Sequence, residues 1–302
     1  MNLNSLINKF TLPEKEIDRV YNHLSEKYSK NPDPWGLKVE NTRKSLKIAG
    51  GLYRNYFNTR VFGKENITDE NYIVVSNHSG QIPFDGMILS CAFLLELDQP
   101  RILRTMVERF VTTIPFFSSF VSESGGVLGD RSNCLELLKR KESVLVFPEG
   151  AKGIAKGTKE FYKLQNFTRG FYKLALKQNT KILPVSVVGA EEFYPLVHNF
   201  KSIAKLLKIP AFPMTPFFPL AGVAGALPLP SPVDVHIGKP IEVNQSLTGE
   251  YTDADIDHEV EKVKQEIKNL LDHGLKNRRP FWAAKLTKNF HETETQETQN
   301  NG

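Results

Sequence analysis

The chain has 302 residues, 40% of them hydrophobic and 24% charged, with a net charge of +5. This composition excludes a disordered chain, and Cys91 and Cys134 alone exclude a disulfide scaffold or a four-cysteine zinc site. Both cysteines read as buried hydrophobes in apolar surroundings and a reducing compartment, while the small positive excess suits an anionic surface or substrate and is too weak to argue for nucleic acid.

The first twenty residues lack the apolar core and small-residue cleavage site of a secretory signal. Residues 14–29 read as an amphipathic helix, with Ile17, Val20, Tyr21, Leu24 and Tyr28 on one face. Asn31-Pro32-Asp33-Pro34 stops it. A second helix is predicted from about 40 to 57. Short apolar strands then alternate with helices. Strands are expected at Ile73–Ser76, Ile102–Met106, Val144–Phe147, Ile182–Val188 and Val233–Ile237. Helices are expected at Gly86–Leu97, Asn133–Arg140, 159–178 and Asp255–Leu271. Gly86–Leu97 is apolar nearly all round, so it is buried or faces a membrane. The tail from about 288 is polar and reads as disordered.

Strands separated by helices imply an α/β fold with a mostly parallel central sheet flanked by helices. The expected organisation is a helical N-terminal extension over 1–60, one domain over 61–275, and a basic-aromatic segment with a polar tail over 276–302. In such a fold ligands gather at the carboxyl ends of the strands.

The familiar motifs are missing. There is no Gly-x-Ser-x-Gly elbow. Ser124-Gly125-Gly126-Val127-Leu128-Gly129 misses the dinucleotide fingerprint at its first glycine. The glycines of 150–157 make no P-loop, and His258-Glu259 has no second histidine at the metalloprotease position.

Polar residues cluster instead in loops beside the predicted strands. The first loop is Asn77-His78-Ser79-Gly80-Gln81-Ile82-Pro83-Phe84-Asp85-Gly86, which begins as the Ile73–Ser76 strand ends. On a continuous helix, His78 and Asp85 would be separated by about 10 Å of rise, too far for a hydrogen bond. Gly80 and Pro83 argue against a helix, and a loop that folds back would bring the carboxylate onto the imidazole. It would then set the tautomer and leave the other ring nitrogen as a base. Asp85 has a competing reading as the N-cap of the helix at Gly86. The second loop ends in Asp130-Arg131, with Arg131 entering a helix. The third is Phe147-Pro148-Glu149-Gly150-Ala151-Lys152-Gly153, and the fourth segment is Ile182-Leu183-Pro184-Val185, within a strand.

These four segments, in this order over about 57–240, resemble the glycerophospholipid acyltransferase family, in its lysophosphatidate acyltransferase-like, bacterial-type subgroup with a lengthened His-to-Asp loop. The family blocks are Asn-His followed by Asp, then Asp-Arg, then Phe-Pro-Glu-Gly with a following cation, then an apolar-Pro-Val strand. Two departures stand out. The His-to-Asp step is seven residues where five is usual, and Lys152 stands where arginine is usual. Lysine is a point charge without arginine's bidentate fork.

The resemblance implies an enzyme that moves a fatty acyl group from acyl-coenzyme A or acyl carrier protein to a glycerolipid hydroxyl, foremost 1-acylglycerol-3-phosphate. Neutral mono- or diacylglycerol acceptors, or a non-catalytic lipid-binding member of the fold, are the alternatives. It implies His78 and Asp85 as catalytic residues and Arg131, Glu149, Gly150 and Lys152 as substrate-binding residues, with no metal and no cofactor beyond the acyl donor. Each has a plainer competitor: a solvated helix residue for Arg131, a turn acceptor for Glu149, and a lysine-rich solvated face for Lys152. Gly80, Gly150 and Gly153 read as turn residues whose amides are also free to hold an oxyanion.

The charge-free run 209–233 is long enough to span a bilayer, but its seven prolines would break a lone helix there. It reads as an interfacial surface, with Phe212, Met214, Phe217, Phe218 and Leu220 facing lipid. Arg278-Arg279-Pro280-Phe281-Trp282, with Lys276 and Lys285, has the composition of a headgroup contact. The expected setting is peripheral, on the cytoplasmic face of a membrane.

Overall fold

A computed structural model describes residues 11–79, 84–109, 117–154, 156–194, 198–199, 213–214 and 227–279. Two helices open the described chain, α1 (Glu14–Lys30) and α2 (Val39–Gly51), the latter running into a π-helical turn at Leu52–Tyr56. Then follow β1 (Arg60–Phe62), β2 (Ile73–Ser76), α3 (Phe84–Leu95), β3 (Arg104–Val107), α4 (Phe117–Glu123), β4 (Val127–Leu128), α5 (Arg131–Lys139) and β5 (Val144–Val146). The remainder is α6 (Ala151–Ile154), α7 (Gly170–Gln178), β6 (Ile182–Val188), the short pair β7 (His198–Asn199) and β8 (Pro213–Met214), β9 (Asp234–Ile237) and α8 (Asp253–Lys276).

Seven strands form one sheet in the order β1-β9-β6-β2-β5-β3-β4. All neighbours run parallel except β6 and β9, which are antiparallel. The sheet is therefore mostly parallel, as its apolar runs implied. It is buried on both sides. Val74, Leu145, Leu183 and Val185 pack with Ile17, Val20, Leu24, Leu46 and Ile88, so α1, α2 and α3 cover one face. Ile73, Val75, Val144 and Ile182 pack with Leu137, Phe171, Val260, Val263 and Ile267, so α5, α7 and α8 cover the other. The alternation Ile73, Val74, Val75 across the two cores is the strand period of two.

Helix α8 shows how local sequence sets an element. The Thr252 hydroxyl accepts the Asp255 N–H at 3.3 Å and Asp255 accepts the Thr252 N–H at 2.8 Å, a reciprocal cap at the N-terminus. Ile256, Val260, Val263, Ile267 and Leu271 are buried along its one apolar face.

The expected helix over 159–178 does not form. A 3-10 turn at Thr158–Glu160 is followed by irregular chain, and only Gly170–Gln178 is α-helical. The cause is competition for backbone donors. Glu191 takes the N–H of Tyr162 at 2.6 Å and Glu149 takes that of Gln165 at 2.8 Å. Tyr162 sits at φ +61°, outside the right-handed helical region.

The headgroup reading of Arg278 and Arg279 is overturned. Arg278 pairs with Glu192 at 2.9 Å and Arg279 with Asp234 at 2.8 Å, with only 8% and 17% of their side chains exposed. Burial disfavours the Asp234 carboxylate, but Arg60 and Arg279 together hold it below the usual carboxylate range. Most of the run 209–226, Pro280, Phe281, Trp282, Lys285 and the tail lie outside the described residues. Of the run's end, Leu227 is exposed while Pro228, Ser231 and Val233 are buried. Among the described residues, no helix is long and apolar enough to cross a membrane.

Candidate active site

β2 lies between β6 and β5, and the chain crosses from one side of it to the other between β5 and β6. That is the switch point at which a parallel sheet opens a crevice at its carboxyl edge. The strand ends in Ser76, and Asn77 extends it. The Asn77 side chain accepts the Val187 N–H at 2.8 Å and donates to the Val187 carbonyl at 3.1 Å, copying a ladder to β6.

His78 follows. Its Nδ1 is 2.6 Å from Asp85 Oδ2, so the loop does fold back and close the seven-residue step. Asp85 Oδ2 also accepts the Ser79 N–H at 2.8 Å, and Oδ1 accepts the Gly86 N–H at 2.8 Å. A carboxylate loaded with three donors accepts from Nδ1–H, which leaves the lone pair on Nε2. No described residue bonds Nε2. The Asp85 side chain is fully buried and that of His78 is 13% exposed. α3 is described from Phe84, so Asp85 stands inside the first turn rather than at the expected N-cap position. The ring of Phe147 stacks on the imidazole, 4.2 Å between centroids and 15° between planes.

Glu149, from the loop after β5, is buried beneath the histidine. Its Oε1 accepts the His78 N–H at 2.8 Å, and Oε2 accepts Gln165 N–H and pairs with Lys156 at 3.0 Å. Gly150 turns at φ +56°, a left-handed conformation glycine adopts without strain. Gly153 is required for close approach: a methyl group there would lie 2.7 Å from His78 Cβ. Gly80 lies outside the described residues.

Arg131 and Lys152 are both exposed, and neither forms an ion pair with a described residue. Asp130 is the N-cap of α5 and accepts the Asn133 N–H at 2.8 Å, which aims Arg131 outward as the first helical residue. β4 lies three strands from β2, about 14 Å at the usual strand spacing. Arg131 thus follows a strand at the far side of the sheet from β2 rather than one beside His78.

Lys156, Glu191 and Tyr162 have no counterpart in the sequence reading. Lys156 is buried and pairs with Glu149 and, at 3.3 Å, with Glu191, which opens the turn after β6. Burial pushes the Glu191 carboxyl up to about 7 against the pull of Lys156. Burial also raises the Tyr162 phenol well above its ordinary value. The available signal was Gly189-Ala190-Glu191-Glu192 directly after an apolar strand. Among the described residues, no group of three or more His, Cys, Asp or Glu side chains is arranged to hold a metal ion.

Residues 58–188 match the Acyltransferase family model. An uncharacterized protein of Mycobacterium leprae is 38% identical over 231 residues, 76% of this chain and 63% of that protein. An uncharacterized protein of Mycobacterium tuberculosis is 36% identical over 236 residues, 76% of this chain and 64% of its own length. The chain thus spans under two thirds of these relatives. A protein of Eremothecium gossypii named diacylglycerol O-acyltransferase 1 is 29% identical over 197 residues, 61% of this chain and 41% of that protein. In fold, the chain is similar to the crystal structure of the 1-acyl-sn-glycerophosphate acyltransferase PlsC from Thermotoga maritima. The TM-score is 0.52 at 18% identity, covering 88% of this chain and 97% of that one.

Proposed function

We propose that the chain, whose residues 58–188 match the Acyltransferase family model, is a glycerophospholipid acyltransferase that transfers a fatty acyl group from a thioester to a glycerolipid hydroxyl. The observation that carries this reading is the His78–Asp85 pair, with Nε2 unpartnered among the described residues at the carboxyl edge of β2. Nε2 takes the proton of the acceptor hydroxyl as its oxygen attacks the thioester carbonyl. Asp85 supports the imidazolium that forms. The tetrahedral oxyanion collapses, the C–S bond breaks, and the imidazolium returns the proton to the departing thiolate. The products are an ester and a free thiol, with no covalent enzyme intermediate.

The donor is acyl-coenzyme A or acyl carrier protein, and the first acceptor is 1-acylglycerol-3-phosphate, with Arg131 and Lys152 holding phosphate of acceptor or donor. The protein works peripherally on the cytoplasmic face of a membrane. A neutral mono- or diacylglycerol acceptor is the second reading, favoured by the name of the fungal relative and by Lys152 in the place of arginine. The test is a panel of lysophosphatidate, other lysolipids, monoacylglycerol and diacylglycerol with labelled acyl-coenzyme A or acyl carrier protein, read by mass spectrometry. Labelled phosphatidate as the main product is expected. Equal use of monoacylglycerol and lysophosphatidate turns the reading to neutral lipids, and no transfer to any acceptor rejects it.

A further inference from the structure

We propose that Lys156, held between Glu149 and Glu191, is a positioning residue that grips the main-chain carbonyl of His78 and so fixes the imidazole against Asp85; the proposal rests on the reading of His78 as the base.

The bonding of Lys156 is complete. Its ammonium has three donors, and three acceptors surround it: Glu149 Oε2 at 3.0 Å, His78 O at 3.2 Å and Glu191 Oε1 at 3.3 Å. The side chains of Lys156, Glu149 and Glu191 are 3%, 0% and 2% exposed. No donor is left over for a substrate, so Lys156, unlike the exposed Lys152, acts inward.

Its partners come from the carboxyl ends of three neighbouring strands. His78 follows β2, Glu149 follows β5 and Glu191 follows β6. His78 lies beyond the ladder of β2, whose last paired residue is Ser76. Its peptide is fixed by side chains instead. The N–H donates to Glu149 and the carbonyl accepts from Lys156, two members of one buried cluster. The ring is fixed separately, by Asp85 at Nδ1 and Phe147 on its face. A general base displaced by about 1 Å loses on the order of 10²-fold in rate.

The cluster is anchored in turn. Tyr162 donates its N–H to Glu191 and its phenol to Glu192, which Arg278 and Ser231 also hold. Glu191 is therefore faced by Lys156, Glu149 and Tyr162, with Glu192 and Arg278 behind them. Removing the ammonium alone would strand two buried carboxylates, so the informative variants neutralise Glu191 as well.

The experiment compares Lys156→Met/Glu191→Gln with Lys156→Gln/Glu191→Gln in the full chain. The two differ in whether position 156 can donate to the His78 carbonyl. Steady-state transfer from acyl-coenzyme A to lysophosphatidate is measured together with thermal unfolding. The His78 ring resonances of ¹⁵N-histidine-labelled protein, assigned by their loss in His78→Ala, are read in parallel. The Met form is expected to unfold cooperatively, to lose about 10²-fold in kcat at unchanged KM, and to show displaced His78 resonances. The Gln form is expected to recover about tenfold of that loss. Equal kcat and equal His78 resonances in the two forms overturn the proposal. If the Met form does not fold, the Gln form is set against the unaltered protein. A fall of about tenfold with moved resonances is then expected, and no change in either overturns it. If the unaltered protein transfers to no acceptor, the reading of the site fails by itself. The resonances still decide whether Lys156 sets the ring.

Discussion

Gly153 packs against His78 so closely that a methyl group on its Cα would stand 2.7 Å from the histidine Cβ and 2.9 Å from Glu149 Cβ. Both neighbours are first side-chain atoms, tied to their backbones, so neither can swing aside. Gly153→Ala is expected to displace His78 from Asp85 and to lower kcat about 10²-fold, with overpacking costing roughly 1–3 kcal/mol of stability. Kinetics and a chemical melt on the same preparation check this. Wild-type turnover would show that the histidine tolerates the shift.

His78→Ala is expected to lower turnover by about 10²–10⁴ with the fold retained, since the side chain is at the crevice rather than in the core. Asp85→Asn should also lose activity. An amide offers one acceptor oxygen where the carboxylate serves Nδ1 and two backbone N–H groups. An Asp85→Asn protein that turns over normally would reduce the carboxylate to a support of the first turn of α3.

Arg131 and Lys152 are exposed, so their alanine variants should fold as the parent does. Arg131→Ala and Lys152→Ala are expected to raise KM for lysophosphatidate and leave KM for monoacylglycerol nearly unchanged. The check is a pair of saturation curves for each variant. If both acceptors suffer alike and KM for acyl-coenzyme A rises, the cations hold the donor.

Glu191 predicts a pH signature in stability. Its carboxyl sits at about 7 in the folded chain against 4.5 ordinarily, because burial opposes its charge. A raised carboxyl contributes stability that is complete below the unfolded value and is lost as pH rises through the folded one. Unfolding free energy should therefore fall across pH 4.5–7 with a component of up to about 1.4 kcal/mol per pH unit. Glu191→Gln removes that component. Urea melts from pH 5 to 8 should show the advantage of the parent over Glu191→Gln shrinking as pH rises. Parallel curves would place the proton elsewhere.

The sheet was legible because β2, β5 and β6 are apolar runs buried on both faces, and α1 and α8 because their apolar residues recur at helical spacing. His78 and Asp85 were legible as a pair only on the condition that the loop folds back. Lys156 was not, since it is one of several lysines between 152 and 163, and only the meeting of three strand ends singles it out. Its burial follows from Glu191, 35 positions away. The same long-range carboxylates explain the misread helix over 159–178, where local periodicity lost to capture of the Tyr162 and Gln165 N–H groups. Arg278 and Arg279 carried the composition of a headgroup contact, and their partners Glu192 and Asp234 lie 86 and 45 positions away.

The edge of the sheet bears on synthesis. Among the described residues β1 pairs only with β9, and Arg60 meets Asp234 across 174 positions of chain. At about 5–20 residues per second, a ribosome needs roughly 10–35 s to deliver the second after the first. The outer edge of β6 likewise stays open until β9 emerges, with its backbone donors and acceptors unpaired. Arg279 then closes on the Asp234 carboxylate from beyond the end of α8. The strands that carry His78 and Glu149 can thus assemble on the nascent chain while the neighbouring edge is still sticky, so translation that outruns chaperone supply is expected to lose the protein to edge-to-edge aggregation.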